Sequence, residues 1–265
     1  MHDLPKDRLQ GKTAIITGGS SGIGRATAIA FAQQGAKVCL MDIKEENAEK
    51  VQKEIEQLGG EAFVTDVDLA NPQRVEKGIQ EVEDRWGRLD IVFANGGING
   101  VLAPIEDLTP EEWDSTINTN LKGTFHTVKY AIPLLKKQGG SIVITSSVNG
   151  NRVFSNIGMS AYSTSKAGQM AFGKMAALEL AKYKIRVNII CPGAINTNIG
   201  KNTDKRPELE KVSIPVEFPE GRHPLEDKPG KPEDVAKLVS FLSSDEASHI
   251  TGTEVFIDGA ESLLK

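Results

Sequence analysis

Cysteine and histidine are scarce in this sequence of 265 residues. The two cysteines, Cys39 and Cys191, lie far apart, one inside an apolar run and the other directly before a proline. Neither has a neighbour at the spacing of a zinc motif, and the four histidines form no HExxH pattern. We therefore predict two reduced thiols in the core and no catalytic metal.

Long apolar runs and an excess of one charge are also missing. No stretch reaches 18 consecutive apolar residues, which argues against a transmembrane helix. The opening MHDLPKDRLQ lacks the apolar segment of a signal peptide. With 31 basic and 36 acidic residues the net charge is -5, and no strongly basic surface is indicated. We expect a cytoplasmic protein whose partners include neither nucleic acid nor a membrane.

What the sequence does contain is a repeated alternation of short apolar runs and helical segments. After the run KTAIIT (12–17), apolar residues follow at helical spacing as far as Gly35. Further strand-like runs occupy 37–42, 62–67, 89–95, 140–147, 184–193 and 253–258. Strand, helix and strand in this rhythm produce right-handed crossovers and a parallel sheet covered on both faces. We predict a doubly wound α/β fold in a single domain over 1–265.

Two segments stand outside this alternation. Residues 1–10 are interpreted as an N-terminal arm. Residues 198–231 are rich in Pro, Lys and Glu and show weak periodicity, so we predict a mobile lid within the domain. Its charges of both signs are typical of a solvated surface, although they could also recruit an anionic carrier or a phosphorylated substrate.

A glycine-rich stretch, TGGSSGIG, joins the first strand to the first helix. Backbone N–H groups and the positive end of a helix dipole meet there and favour a phosphate group. Gly18 would permit the tight turn, Gly22 the approach of a pyrophosphate, and Gly24 close packing of the helix on the strand. The residues that follow are not the Lys and Ser or Thr of a P-loop. The predicted dinucleotide contacts here are Gly18, Ser20, Ser21, Gly22, Ile23 and Gly24.

The second strand ends at Asp42. In dinucleotide-binding folds this position, about 20 residues after the glycines, faces the adenosine ribose. A carboxylate accepts hydrogen bonds from the ribose hydroxyls and repels a 2′-phosphate, and the next residue is Ile43 rather than an arginine. We therefore predict NAD rather than NADP as the cofactor. The alternative is that Asp42 caps the following helix.

The segment YSTSK (162–166) sets a tyrosine four residues before a lysine in a chain with only three tyrosines. On a helix the two side chains would share one face. An ammonium group stabilises phenolate, so we expect Lys166 to lower the pKa of Tyr162 from its reference value near 10. Such a phenol is suited to general acid/base catalysis. The alternative is a surface pair on an ordinary amphipathic helix.

Together these motifs resemble the short-chain dehydrogenase/reductase family over about residues 8–261. The further matching motifs are DV (66–67), ANGG (94–97), NTNLKG (118–123), SS (146–147) and PGAINT (192–197). The resemblance implies the compact branch of the family, with a Rossmann-like, mostly parallel sheet of seven strands. It also implies hydride transfer between a nicotinamide and an alcohol or carbonyl, in a homotetramer.

The resemblance assigns roles to individual residues. It implies that Tyr162 donates or accepts the substrate proton, that Lys166 lowers its pKa and holds the nicotinamide ribose, and that Ser147 hydrogen-bonds the substrate oxygen. Ser146 is the alternative for the serine role, because strand alternation directs only one of the two towards the site. Asn120 would anchor a water between Lys166 and solvent. The implied cofactor contacts are Asp66 and Val67 at the adenine, Asn95 and Gly97 on the adenosine side, and Pro192, Gly193, Ile195 and Thr197 at the nicotinamide.

Substrate hypotheses remain open at this point. The 15 residues from Ser147 to Tyr162 exceed the commonest spacing in the family, so the loop beside the substrate differs. An NAD-linked sugar, polyol or secondary-alcohol dehydrogenase is the first hypothesis. A 3-oxoacyl thioester reductase is the alternative, which Asp42 disfavours because such relatives mostly use NADPH. An isomerase or dehydratase of the extended branch would need a longer substrate domain, and a non-catalytic NAD sensor would not need the acid/base residues.

Overall fold

The computed structural model describes residues 7–43, 45–218 and 221–264. The strands are β1 Thr13–Thr17, β2 Lys37–Asp42, β3 Glu61–Asp66, β4 Ile91–Ala94, β5 Val101–Leu102, β6 Gly140–Thr145, β7 Ile185–Pro192, β8 Asp204–Lys205 and β9 Glu254–Ile257. The α-helices are α1 Gly22–Gln33, α2 Glu45–Gln57, α3 Pro72–Trp86, α4 Pro110–Ile117, α5 Gly123–Leu135, α6 Ser160–Leu180 and α7 Pro232–Ser243. Of the predicted N-terminal arm, residues 1–6 lie outside the described ranges, and Leu9 is buried.

Seven of the strands form one parallel sheet in the order β3-β2-β1-β4-β6-β7-β9. The predicted Rossmann-like α/β fold with seven strands is therefore confirmed. The order reverses between β1 and β4, because β2 and β3 extend the sheet on one side of β1 and the later strands extend it on the other. In open α/β sheets such a reversal leaves a crevice at the carboxyl ends of the strands, where ligands bind.

The strands are nearly continuous apolar runs because helices cover both faces of the sheet. Along β4, Val92 points into the core layer that contains residues of α3 and α5. Its neighbours Ile91 and Phe93 point into the opposite layer, which contains residues of α1, α2 and α7. All four residues of β4 are buried. The central strands are thus fixed on both faces, which gives the loops at their carboxyl ends a rigid base.

The predicted lid (198–231) is attached to the connection between β4 and α4. Its strand β8 pairs in parallel with β5. Asn99 Nδ2 donates to Thr203 Oγ1 at 2.8 Å, and Arg206 forms an ion pair with Glu112. Two short 3₁₀ turns, Ile199–Asn202 and Pro207–Val212, flank β8. Residues of this segment therefore line the crevice in this structure, and the mobility of the lid stays a prediction.

The described ranges also bear on membrane and metal binding. No helix found there is long and apolar enough to cross a bilayer. Among the same residues, no three His, Cys, Asp or Glu side chains are grouped so as to hold a metal ion. Cys39 and Cys191 are both buried as free thiols, and burial raises the pKa of each.

Candidate active site

A cleft of about 1150 Å³ opens at the carboxyl ends of the strands, where the strand order reverses. Most of the residues predicted to bind substrate or cofactor line it together: Gly18, Ser20, Ser21, Gly22, Ile23, Asp42, Val67, Asn95, Gly97, Ser147, Tyr162, Lys166, Pro192, Gly193, Ile195 and Thr197. Three predicted residues, Gly24, Asp66 and Asn120, do not line it. Residues far apart in sequence are thus brought to one cavity by the sheet.

The turn between β1 and α1 leaves no room for a side chain at its glycine positions. Gly18 has φ +66°, and a Cβ there would lie 2.9 Å from Gly96 Cα. Gly22 has φ +50° and faces Thr197. Gly24 lies underneath the turn, since a Cβ there would lie 2.0 Å from the Gly18 carbonyl oxygen. Bare backbone at the N-terminus of α1, open to the cleft, is a cradle that fits a pyrophosphate.

Asp42, the last residue of β2, is held next to this turn. Its Oδ2 accepts a hydrogen bond from the Ser20 N–H at 3.0 Å. Because α2 begins at Glu45, Asp42 is not the residue directly before that helix. Its half-buried side chain lines the cleft beside the glycine turn, where a ribose hydroxyl would need an acceptor.

Asp66 and Val67 have different surroundings although they are adjacent. Val67 is buried and lines the cleft. Asp66 is exposed, and its carboxylate forms an ion pair with Arg74 of α3. The side chain predicted to flank the adenine therefore points to solvent in this structure, because strand alternation sends neighbouring side chains to opposite sides.

Asn95 ties together the ends of three strands. Its backbone N–H donates to Thr17 Oγ1 at 2.9 Å, and its Nδ2 donates to the Thr17 carbonyl at 3.3 Å. Its Oδ1 accepts from Thr145 Oγ1 at 3.2 Å. Nearby, a Cβ on Gly97 would lie 2.9 Å from Asn120 Oδ1, so this stretch forms a tight floor to the cleft.

Tyr162, Ser147 and Lys166 lie together, as the sequence predicted. Tyr162 lies in the first turn of α6, 9% exposed, and its phenol faces the side chain of Ser147, two residues after β6. Lys166 is 3% exposed, and its Nζ donates to the Thr145 carbonyl at 2.8 Å. That Nζ lies 5.5 Å from the centroid of the Tyr162 ring. A phenol, an alcohol and an ammonium group thus surround one end of the cleft.

The pKa of Tyr162 is shifted in the opposite direction from the prediction. Burial raises it above its ordinary value of 10, and the hydrogen bond from Ser147 only partly opposes that shift. Burial also lowers the pKa of Lys166 from 10.5 to about 8. Both shifts have one cause, because a buried site disfavours the charged form of each group. Lys166 directs its ammonium at a carbonyl and makes no hydrogen bond to the phenol in the described contacts.

The two adjacent serines point in different directions. Ser147 contacts Tyr162, and its Oγ also accepts from the Asn149 N–H at 3.2 Å. Ser146 turns away, and its Oγ donates to the Lys166 carbonyl at 2.8 Å. This geometry supports Ser147 over Ser146 for binding a substrate oxygen, as strand alternation requires.

We expect Ser147→Ala to lower kcat by at least about tenfold, because one donor to the substrate oxygen is lost. Ser146→Ala is the matched control. It should keep kcat within a small factor and lower the free energy of unfolding by about 1 kcal/mol, since one buried hydrogen bond is lost. Steady-state kinetics and urea unfolding of both variants test this. A larger fall in kcat for Ser146→Ala would reverse the assignment.

Asn120 is fully buried in a π-helical turn, Asn118–Lys122, between α4 and α5. Its side chain bonds the backbone N–H and carbonyl of Ile98, both at 2.8 Å, and donates to Ser165 Oγ. The backbone carbonyl of Asn120 accepts hydrogen bonds from Thr124 Oγ1 and from Gln169 Nε2. Both lone pairs of that backbone carbonyl are therefore in use, and the side-chain bonds hold Asn120 in place between Ile98 and α6. The predicted water between Lys166 and solvent stays a prediction.

Two charged residues of the cleft were missed by the sequence analysis. Glu261 is 5% exposed, and its Oε2 accepts from the Ala194 N–H at 3.0 Å, next to the predicted nicotinamide residues. Its Oε1 pairs with Arg222 of the lid at 3.4 Å. No motif surrounds either residue, so only the tertiary structure brings them to the site.

Comparison with curated proteins gives relatives that match nearly the whole chain. A profile of the enoyl-(acyl carrier protein) reductase family matches residues 18–260. The chain is 40% identical to the 3-oxoacyl-[acyl-carrier-protein] reductase of Thermotoga maritima, over 95% of this chain and 98% of the relative. It is 37% identical to the cyclohexanol dehydrogenase of an Acinetobacter species, over 98% of both chains.

Solved structures agree with these relatives. A 3-ketoacyl-ACP reductase from Sinorhizobium meliloti is 47% identical with a TM-score of 0.91, over 96% of this chain and 100% of that one. A 7α-hydroxysteroid dehydrogenase complexed with NADH is 33% identical with a TM-score of 0.85, over 98% of this chain and 97% of that one. These proteins share the sheet described above and are oxidoreductases by name. The chain therefore belongs to the short-chain dehydrogenase/reductase family, and is an oxidoreductase that acts on CH–OH or carbonyl groups with a nicotinamide cofactor.

Proposed function

We propose that the protein is an NAD(H)-dependent oxidoreductase for secondary alcohols and ketones, of the sugar, polyol or small-alcohol class. The observation that carries this proposal is that Tyr162, Ser147 and the buried Lys166 meet at one wall of the cleft that Asp42 also lines. Two hydroxyl groups that meet at a cleft wall can bind one substrate oxygen between them.

The residues present fit a bound dinucleotide. We propose that the bare turn at Gly18 and Gly22 holds the pyrophosphate and that Asp42 accepts from the adenosine ribose. Further contacts would come from Ser20, Ser21, Ile23, Val67, Asn95, Gly97, Lys166, Pro192, Gly193, Ile195 and Thr197. When bound, the nicotinamide supplies the hydride donor or acceptor.

In this proposal, Tyr162 donates the proton to the substrate oxygen or accepts it. Because burial raises its pKa, the phenol is protonated at neutral pH and ready to donate to a carbonyl oxygen. Ser147 holds the same oxygen in place. Lys166 contributes a positive charge that favours removal of the phenolic proton, and it keeps this charge only below its lowered pKa of about 8.

Asp42→Ala is expected to lower kcat/KM for NAD by about tenfold or more and to leave that for NADP unchanged or improved. The carboxylate offers charge-assisted hydrogen bonds to ribose hydroxyls and repels a 2′-phosphate. Glu49→Ala is the matched control, since it removes the same charge from an exposed position on α2. Steady-state kinetics with both cofactors test this, and an unchanged preference in Asp42→Ala would remove the NAD assignment.

A 3-oxoacyl thioester reductase is the second candidate function. It is favoured by two relatives that carry this name, and by Lys205 and Arg222 in the cleft wall, which could face an anionic carrier. The deciding experiment compares reduction of acetoacetyl-CoA with oxidation of a panel of sugars, polyols and alcohols, both followed by NADH absorbance. Turnover of acetoacetyl-CoA alone would favour the second candidate and contradict the first.

We further propose a single-domain, cytoplasmic homotetramer. Apolar side chains on α5 and α6 are exposed in the isolated chain, among them Phe125, Met175 and Leu178. Exposed apolar groups on adjacent helices are typical of a surface that is covered by another copy. Light scattering that gives the mass of one chain at micromolar concentration would contradict this assembly.

A further inference from the structure

The loop between β6 and α6 carries two asparagines into the cleft. Asn149 follows Ser147 by two residues, in the short turn Val148–Gly150, and its backbone N–H donates to Ser147 Oγ at 3.2 Å. Asn156 comes from the far side of the loop, and its Nδ2 donates to Asn149 Oδ1 at 2.7 Å. Both residues line the cleft together with Ser147 and Tyr162. The amide pair is thus built onto the serine that is proposed to bind the reacting oxygen.

One hydrogen bond between two amides leaves one donor group, an NH2, and one acceptor group, a carbonyl oxygen, entirely unused. Here these are the Nδ2 group of Asn149 and the Oδ1 of Asn156, neither of which has a protein partner among the described contacts. Exchanging the oxygen and nitrogen of both amides would also leave one donor and one acceptor, so this conclusion is independent of how the amides are oriented.

The cleft that holds the amide pair also has apolar residues in its wall. On the same loop, Val153, Ile157 and Met159 line the cleft, and Leu102 and Leu209 line it from β5 and from the lid. Polar groups placed in an apolar pocket fix the orientation of a ligand and set its specificity. A ligand without a matching polar group would leave them unpaired when it excludes water, at a cost in binding free energy.

We propose that Asn149 and Asn156 bind a second oxygen of the substrate, on the carbon next to the one that is oxidised or reduced. Oxygens on neighbouring carbons lie within about one hydrogen-bond length of each other. Asn149 is held beside Ser147 by the hydrogen bond from its backbone N–H to Ser147 Oγ at 3.2 Å, and Asn149 lines the same cleft. A hydroxyl group both donates and accepts, which matches the unused pair. The preferred substrates are therefore vicinal diols and α-hydroxy ketones, including polyols and sugars. This inference rests on the proposed function, since Ser147 and Tyr162 define the reacting carbon.

The experiment compares two probes that differ by one hydroxyl group, cyclohexane-1,2-diol and cyclohexanol, in NAD-dependent oxidation. For the wild-type enzyme, we expect kcat/KM for the diol to exceed that for cyclohexanol by at least about tenfold, as hydrogen bonds to one more hydroxyl allow. Asn149→Leu and Asn156→Leu should bring this ratio close to one. Asn151→Leu is the matched control, because Asn151 belongs to the same loop but bonds Glu254 outside the cleft.

The outcomes distinguish a failure of the inference about Asn149 and Asn156 from a failure of the proposed function. A wild-type enzyme that oxidises both probes with similar kcat/KM would overturn the inference and leave the proposed function standing. A wild-type enzyme that oxidises neither, while reducing acetoacetyl-CoA, would overturn the proposed function and the inference with it. A ratio that falls equally in Asn151→Leu would show a general effect of the loop and would also overturn the inference. Melting temperatures of the variants establish that each is folded, and the wild-type ratio does not depend on them.

Discussion

Tyr162→Phe is expected to bind NADH within a small factor of the wild-type affinity and to lose at least about 10²- to 10⁴-fold in kcat. The ring of Tyr162 is buried, so phenylalanine can occupy the same space in the first turn of α6. What is lost is the hydroxyl that faces Ser147, with its exchangeable proton. Binding is measured by NADH fluorescence and turnover by steady-state kinetics with the best substrate of the panel.

Tyr183→Phe is the matched control, since it removes the same atom from a residue outside the cleft, beside Lys136 and Lys182. Its kcat should equal that of the wild-type enzyme. An active Tyr162→Phe enzyme would refute the role of the phenol in proton transfer. Loss of NADH binding by Tyr162→Phe would instead indicate that the residue mainly holds the cofactor.

The raised pKa of Tyr162 affects alcohol oxidation and ketone reduction differently. Oxidation of an alcohol needs the phenolate as proton acceptor, and burial makes this form scarce at neutral pH. The rate of oxidation should therefore rise with pH through the neutral range, whereas reduction of a ketone uses the protonated phenol that is already present. Only the tertiary structure carries this information, because four-residue spacing shows that two side chains meet but not how deeply they are buried.

The fold was predictable because each element has a local signal. The run from Thr13 to Thr17 is apolar and bounded by a glycine turn, and the helix after it repeats small apolar residues at helical spacing. Strand-like runs in the sequence also predicted the six other strands of the main sheet. The pairing of β5 with β8 was not predictable. Each strand has only two residues, and about a hundred residues of chain separate them.

The candidate site was predictable where a motif fixes both the residue and its neighbours. The glycine turn, Asp42 and the Tyr162–Lys166 pair are such cases. Asp66 shows the limit, because its ion pair with Arg74 is a tertiary contact that no motif encodes. Glu261 shows another, since a lone glutamate after the last strand gives no sign that it will accept from Ala194 in the cleft.

Lys166→Met is expected to lower kcat by at least about 10²-fold. Removal of one polar group that stabilises a transition state typically lowers kcat by about this factor. Methionine fills a similar volume without the ammonium group. Lys174→Met is the matched control on the same helix, where the lysine side chain is 56% exposed and pairs with Glu254. The control should retain kcat, and an active Lys166→Met enzyme would remove the proposed electrostatic role.

The same pair of variants isolates the energetic cost of the buried ammonium group. Since its pKa is about 8 in the folded protein and 10.5 ordinarily, the folded state gives up the proton first as pH rises, and the cost of burying the charge then declines. The free energy of unfolding of the wild-type protein, relative to Lys166→Met, should therefore increase by about 2 kcal/mol between about pH 7 and about pH 9.5. Urea unfolding at fixed protein concentration measures this difference, and Lys174→Met should show a much smaller change. A difference that stays flat or falls with pH would mean that the lysine is not desolvated, and the proposed coupling between its burial and its charge would be wrong.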